Sequence, residues 1–411
     1  MKIRIITIIC SLLLALCAAA QKKELNQAEA YLKSGKDFDK AEKLMVGLLQ
    51  NPEHRANKKI YLMWYRSVVA QYEAANEKLY LKQKYDTAQF FGLIRRMYQV
   101  AESLDSVDAR PDKKGRVRPD YRKRHAEQLN VLRHNLYSGG IYQYRKADYD
   151  KSYGFFSTYL DTGSQPLFSG YDYGVRDSIM PQVAYWATLS GYMLQRPDSV
   201  LRYADVALRD SSKREYVLQY MCEAYRWPKD SAYLADHRFD QDSAMVATLR
   251  LGMSEFPQHP YFFPRLADWY TAHMMPDSVL AIADRGLKVN PDNQLFLLAK
   301  SVAQLNLNQD NSCIATSQRL IELNDTLPEP YYNIAMVYLN KALMLEEQNE
   351  PRRNRDRLQQ LYQLARPYME NYQRLAPDDQ RRWAPALYRI YFNLNMGRQF
   401  DKIDKMMRKM K

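Results

Sequence analysis

The chain has 411 residues, 46% of them hydrophobic and 26% charged, with a formal charge of +13. That balance excludes a disordered polymer and a polypeptide too short to bury a core. With only 14 Gly and 18 Pro, and no long β-branched alternation, helices are expected throughout.

Residues 1–20 stand apart. Lys2 and Arg4 form a basic start, Ile5 to Cys17 is apolar, and Ala18, Ala19 and Ala20 place small residues before Gln21. This is the layout of a secretory signal cleaved after Ala20. The rival readings are a membrane anchor, for which Ile5 to Ala20 falls short of the roughly 20 residues a spanning helix needs, and lipid attachment at Cys17, where Leu16 occupies a position that wants a small residue. The expected address is therefore the periplasm or the outer envelope, with no transmembrane segment after cleavage. Loss of Lys2 and Arg4 lowers the charge from +13 to +11, and loss of Cys10 and Cys17 leaves Cys222 and Cys313. Two cysteines make no disulfide framework, and two separate buried thiols are expected rather than one bridge.

The mature protein divides into N-terminal helical repeats over 21–108 and further repeats over 121–411, with loop insertions near 162–182, 227–242 and 346–357. Weak helix pairs fall at 25–52 and 76–108. The stretch 110–120 and the Gly/Ser/Tyr-rich 162–174 are the expected breaks. A pair follows around Leu136, Gly140, Ser152, Phe156 and Tyr159, and another opens at Trp186 and Leu189. That second pair ends in "PDSVLRYADVAL", Pro197 to Leu208, which returns as "PDSVLAIADRGL", Pro276 to Leu287. In the second copy Val279, Leu280, Ala283, Gly286 and Leu287 recur at three and four residues, the spacing of one helix face. Pro suits the first helical position and the Asp after it lies at the positive helix end. Each copy is expected to be one amphipathic helix. Further pairs are expected at 214–257, interrupted by "WPKDSAYLADHRFDQD", at 294–325, from Tyr331 to Pro377, and at 383–411.

Phe263, Leu266, Ala267, Tyr270, Val279, Ala283, Gly286 and Pro291 resemble the tetratricopeptide repeat, whose small and large apolar positions recur every 34 residues. Small residues let two antiparallel helices approach, and Phe263 and Tyr270 fill the space between them. The resemblance implies an all-α, right-handed α-solenoid of stacked antiparallel helix pairs that binds a protein or peptide. In that family the first helix of each pair lines the concave groove. Its outward positions map onto His134, Tyr137, Ile141, Tyr144 and Arg145, then Tyr261 and Asp268, then Tyr332, Met336 and Asn340. A carboxylate clamp of the chaperone-binding members is not evident.

Chemistry is not signalled. His54, His125, His134, His237, His259 and His273 lie in no metal-ligand spacing, and no nucleophile elbow or phosphate loop occurs. No enzyme activity, cofactor or metal is expected, and no nucleic-acid partner. The pair Gly139-Gly140 reads as close helix packing. Charge offers the alternative: Arg110, Lys113, Lys114, Arg116, Arg118, Arg122, Lys123 and Arg124 stand against Asp112 and Asp120, and Arg352, Arg353, Arg355 and Arg357 crowd a later stretch. Such patches can hold an anionic envelope glycan or lipid. An envelope-polymer enzyme is the distant third reading.

Asp followed by Ser or Thr and a small or aliphatic residue occurs at Asp86, Asp105, Asp177, Asp198, Asp230, Asp242, Asp277 and Asp325. These read as helix starts, where such side chains take up unpaired N–H groups; they are also similar to the acceptor motif of a periplasmic O-glycosylation system. The intact mass of the exported protein is expected to equal that of the bare polypeptide from Gln21. Discrete added sugar masses would assign these sites to glycosylation instead.

Overall fold

The computed structural model describes residues 21–227, 240–348 and 351–410. The expected signal at 1–20, the Asp230 motif and most of the 227–242 insertion lie outside the described residues. The described residues contain helices and no strand. Two compact units divide at Gln241/Asp242.

The first unit comprises α1 (residues 21–33), α2 (Phe38–Leu48), α3 (Lys58–Tyr80), α4 (Thr87–Asp108), α5 (Arg122–Asn130), α6 (Arg133–Arg145), α7 (Tyr149–Asp161), α8 (Tyr173–Arg176), α9 (Met180–Met193), α10 (Pro197–Leu201), α11 (Ala204–Ala207) and α12 (Arg214–Arg226). The second comprises α13 (Gln241–Glu255), α14 (Phe262–Ala272), α15 (Pro276–Val289), α16 (Gln294–Asn306), α17 (Asp310–Leu323), α18 (Glu329–Glu347), α19 (Pro351–Leu375), α20 (Gln380–Asn393) and α21 (Gly397–Met410). Within each unit, pairs such as α3/α4, α6/α7, α16/α17 and α18/α19 fold back on themselves and pack on the next pair. This is the expected all-α solenoid of helix pairs.

One backbone device closes most pairs. Lys82, Ala147, Gln195, Met274, Asn308 and Asn395 all have φ between 53° and 57°. The N–H of the residue after each bonds back to a carbonyl five positions earlier: Gln83 to Lys78, Asp148 to Gln143, Arg196 to Gly191, Met275 to Tyr270, Gln309 to Gln304 and Met396 to Tyr391, at 2.8–3.1 Å. This left-handed cap satisfies the last carbonyls of the first helix and reverses the backbone in three residues.

Small residues then let the helices meet. A Cβ on Gly140 would fall 2.3 Å from the Phe156 ring, and one on Gly286 would fall 2.6 Å from the Phe296 ring. At Gly191 the neighbour is backbone: a Cβ would lie 2.7 Å from the carbonyl carbon of Ser199. Around these contacts Tyr98, Phe155, Phe156, Val183 and Ala187 form one core in the first unit, and Ala335, Tyr362, Met369, Trp383 and Leu387 form one in the second. Cys222 and Cys313 are separate buried thiols, as expected. Burial pushes the Cys313 thiol up to about 11.

Four expectations are corrected. First, the earlier copy of the repeated phrase is a broken helix, α10 then α11, whereas the later copy is continuous in α15. The residues that differ at the break are Arg202 and Tyr203, and both reach back to Asp161, Arg202 through Nη2 at 3.1 Å and Tyr203 through its hydroxyl at 2.8 Å. Ala281 and Ile282 stand there in the later copy and make no such demand. Second, α3 begins at Lys58, well before the pair expected at 76–108. Third, the charged stretch near 346–357 is mostly not a loop, because α18 runs to Glu347 and α19 starts at Pro351. Fourth, 110–120 and 162–174 are not breaks. Lys58 bonds Asp120 at 2.7 Å and Arg122 bonds Asp105 at 2.8 Å, tying the first stretch down. The second is tied by Arg133, whose buried guanidinium pairs with Asp177, bonds Thr162 Oγ1 at 2.9 Å and lies between the Tyr159 and Tyr173 rings at 3.7 and 3.8 Å.

The aspartate motif divides as well. Asp86 caps α4 by accepting from Ala88 and Gln89, and Asp198 and Asp277 lie in first turns. Asp105, by contrast, sits inside α4, buried and ion-paired.

The left-handed residues make stability measurable at single sites. Met274 is 90% exposed, so its packing contribution is almost nil. Met274→Gly is expected to stabilise the protein by about 0.5 kcal/mol, the relief of strain outweighing the added freedom of the unfolded state. Gly191→Ala is expected to destabilise it by about 2 kcal/mol, because backbone does not yield as a side chain does. Urea midpoints of the two variants check both signs.

Candidate functional site: an aromatic face and a basic stretch

In the first unit the outward side chains of α6, α9 and α12 build a band of rings. Tyr144 lies 5.3 Å from Tyr149 and 5.0 Å from Trp186, both edge-on. Trp186 meets Tyr185 at 5.6 Å, Tyr185 meets Tyr220 at 6.5 Å, and Tyr220 packs on Tyr192 at 4.5 Å, which reaches Trp227 at 5.7 Å. Each of these side chains is half-buried: one edge is held by the helix beneath and one remains wet. Edge-to-face and offset pairs of this kind hold rings rigidly, and the Tyr185 and Tyr220 hydroxyls bond each other. Burial raises the Tyr144 hydroxyl above its ordinary value, helped by Tyr149 and Tyr185. Burial also raises Tyr220, with Tyr185 adding to the effect. Both stay protonated donors. Lys213 approaches the rings of Tyr185 and Tyr216 at 5.9 and 6.0 Å.

The candidates read from the sequence divide between the units. On α6, His134 is exposed beside Tyr137 at 5.8 Å, Tyr137 and Ile141 are half-buried, with Tyr137 against Phe156, Tyr144 enters the band, and Arg145 is exposed. In the second unit Tyr261 lies under the Arg265 guanidinium at 3.7 Å and Asp268 is exposed. Tyr332 lies 5.0 Å from Tyr372 and under Arg382 at 4.2 Å, and Met336 and Asn340 are half-buried on the same helix. The two candidate tyrosines of the second unit, Tyr261 and Tyr332, are thus covered by arginines of the protein itself. Sequence reasoning passed over Tyr185, Tyr192, Tyr220 and Trp227. A signal was present: Tyr137 and Tyr144, Tyr185 and Tyr192, and Tyr220 and Trp227 are each two helical turns apart, so each couple shares a helix face.

The basic stretch is less uniform than its sequence. Arg122 is bound to Asp105 through two hydrogen bonds of 2.8 Å, and Arg116 to Asp112 at 2.9 Å. Arg110, Lys113, Lys114, Arg118, Lys123 and Arg124 are exposed. The side chains of Arg352 and Arg353 lie outside the described residues, whereas Arg355 and Arg357 are exposed on α19. Beside Arg124, His125 is buried 4.3 Å from the Tyr65 ring and nearly parallel to Tyr121 at 5.7 Å. Among the described residues no three His, Cys, Asp or Glu side chains gather as metal ligands would, and no helix is long and apolar enough to cross a membrane.

No protein-family model matches the sequence, and no curated protein matches it. Among solved structures it is similar to the tetratricopeptide domain of P58(IPK), at 12% identity over 92% of this chain and 99% of that one, with a TM-score of 0.25. It is also similar to the TPR2AB domain of yeast Sti1 in its pHSP90 complex, at 10% identity over 75% and 98%, again with a TM-score of 0.25. Both superpose loosely. The helix pairs and their close-packed glycines define the fold without them.

Burial, and secondarily the Arg124 charge, lowers the His125 pKa from 6.5 to about 4. Between those values the unfolded state takes up a proton that the folded state refuses, so stability falls as pH drops from about 6.5 to about 4. His125→Gln is expected to flatten that part of the curve. Urea midpoints at pH 7 and pH 4.5, compared between wild type and variant, check it.

Proposed function

We infer that the protein is an exported, non-catalytic scaffold of tetratricopeptide type that holds a protein or peptide partner on the aromatic face of α6, α9 and α12. The observation that carries the reading is the unbroken contact of half-buried rings from Tyr144 through Trp186 and Tyr220 to Trp227 across three successive first helices. Rigid aromatic area with wet hydroxyls is the composition of protein-binding hot spots. Export is supported by the basic start, the apolar run and the small residues before Gln21, which favour a partner in the periplasm or at the outer envelope.

A second reading rests on the exposed cations between Arg110 and Arg124. There the protein would be an adaptor for an anionic envelope glycan or lipid. Salt separates the two readings, because binding by counterion release weakens steeply with ionic strength and aromatic burial does not.

Crosslinking of the tagged protein in its native envelope is expected to recover a defined protein that remains bound at high salt. Trp227→Ala and Tyr192→Ala are expected to weaken that capture about tenfold or more with helical content unchanged, while Arg118→Glu leaves it intact. Recovery of glycan or lipid alone, lost at high salt, transfers the function to the basic stretch.

A further inference from the structure

The second helices α4 and α7, with Gln143 of α6, border a cleft of about 370 Å³ lined by Gln89, Arg95, Gln99, Gln143 and Phe155 among others. Three observations set it apart from ordinary surface. Arg95 is laid flat against Gly154: a Cβ there would fall 2.4 Å from its Nη2. Its guanidinium sits 5.6 Å above the Phe155 ring, and Nε donates to Thr158 Oγ1 at 3.2 Å. The terminal nitrogens have no carboxylate partner among the described residues. The aspartate nearest in effect, Asp150, is paired with Arg196. Gln143 is only 5% exposed, lines the cleft, and its side chain makes no hydrogen bond among the described residues. Finally, the other two cations of the cleft are neutralised, Arg96 by Glu42 at 3.1 Å and Lys151 by Asp148 at 2.7 Å. One positive charge is left over, half-buried and held by packing rather than by an anion.

A guanidinium desolvated without a counter-charge is unfavourable, and burial lowers the Arg95 pKa accordingly. Its planar fork matches a carboxylate. Neighbouring amides offer paired donors and acceptors, which suit peptide groups. A single uncompensated charge matches one carboxylate better than a phosphate dianion.

We propose that the cleft between α4 and α7 binds one carboxylate of an extended peptide, Arg95 taking the charge and the amides of Gln89, Gln99 and Gln143 taking the peptide groups beside it. The carboxylate comes from a free peptide terminus or from an Asp or Glu side group. Arg95 and Phe155 lie on second helices and only Gln143 comes from α6, beside Tyr144 of the aromatic face, so Arg95 reports on the cleft and Tyr192 and Trp227 report on the aromatic face, and either reading can fail without the other.

The test uses the full-length protein labelled with ¹⁵N-arginine, reading the Nε–H signal of Arg95. Arg95→Lys assigns that signal by its loss; Thr158→Val, which removes the acceptor of Nε, assigns it by a shift if the lysine variant does not fold. The probes, at constant ionic strength, are acetyl-Gly-Gly with a free terminal carboxylate, acetyl-Glu-amide, uncharged acetyl-Gln-amide and inorganic phosphate. One or both carboxylates are expected to shift Arg95 saturably with a Kd of about 1 mM, the tighter of the two naming the source, while acetyl-Gln-amide has no effect. Gln143→Leu is expected to weaken that binding about tenfold with the helical circular dichroism unchanged. The proposal is overturned by an absent or unsaturable shift, by an equal response to acetyl-Gln-amide, by phosphate binding tighter than both carboxylates, or by equal shifts at the exposed arginines.

Discussion

Most helix pairs turn on one residue forced into the left-handed region, and much of the architecture follows from it. The reversal at Ala147 or Gln195 takes so few residues that the two helices must lie almost in contact. Contact in turn requires small residues where the axes come closest, and Gly140 and Gly191 occupy those places. Once the interior of a pair is closed by glycine against a ring or a backbone, large side chains project to the flanks, where they fill the seams between pairs or remain half-wet. The aromatic face is therefore a by-product of tight turns as much as a feature in its own right.

The 33 tyrosines illustrate how one residue type is divided among tasks. Tyr98, Tyr362 and Tyr372 are fully buried core. Tyr159 and Tyr173 sandwich Arg133, which converts a polar insertion into part of the first unit. Tyr261 and Tyr332 are covered by arginines of the same molecule. The band on α6, α9 and α12 is a further case: its rings contact one another in series, with Trp186 stacked inward on Phe156 and Lys213 close to Tyr185. A tyrosine that is satisfied on one face and wet on the other is the kind that can exchange water for a partner at small entropic cost.

The fold was legible because its code is local. Pro and Asp at helix starts, glycine at close approaches and aliphatic residues at three- and four-residue spacing all announce themselves within a dozen residues. The turns were hidden, since left-handed positions usually declare themselves by glycine and here carry Lys, Ala, Gln, Met and Asn. The helix from Lys58 to Tyr80 escaped because it has neither Gly nor Pro to punctuate it and does not match the repeat's small positions. The break in the first "PDSVL" helix depends on Asp161, 41 residues before Arg202, and no local pattern can contain it. The candidate sites fared worse for the same reason. Whether Tyr332 is bare or covered depends on Arg382, and whether Arg95 is paired depends on Asp150 already being taken by Arg196.

The stitching around 110–121 bears on how the protein would age in a compartment rich in proteases. Its exposed lysines and arginines are natural cleavage points for trypsin-like enzymes, in a segment that carries no helix of its own. The segment leaves the end of α4 directly, however, and its far flank is fastened to α3 and α4: Asp120 to Lys58, Arg122 to Asp105, and the backbone N–H of Tyr121 to Asp108. A molecule nicked there would run as two fragments once denatured, yet in solution it would keep its shape, because the cut falls outside every contact that holds the first unit together.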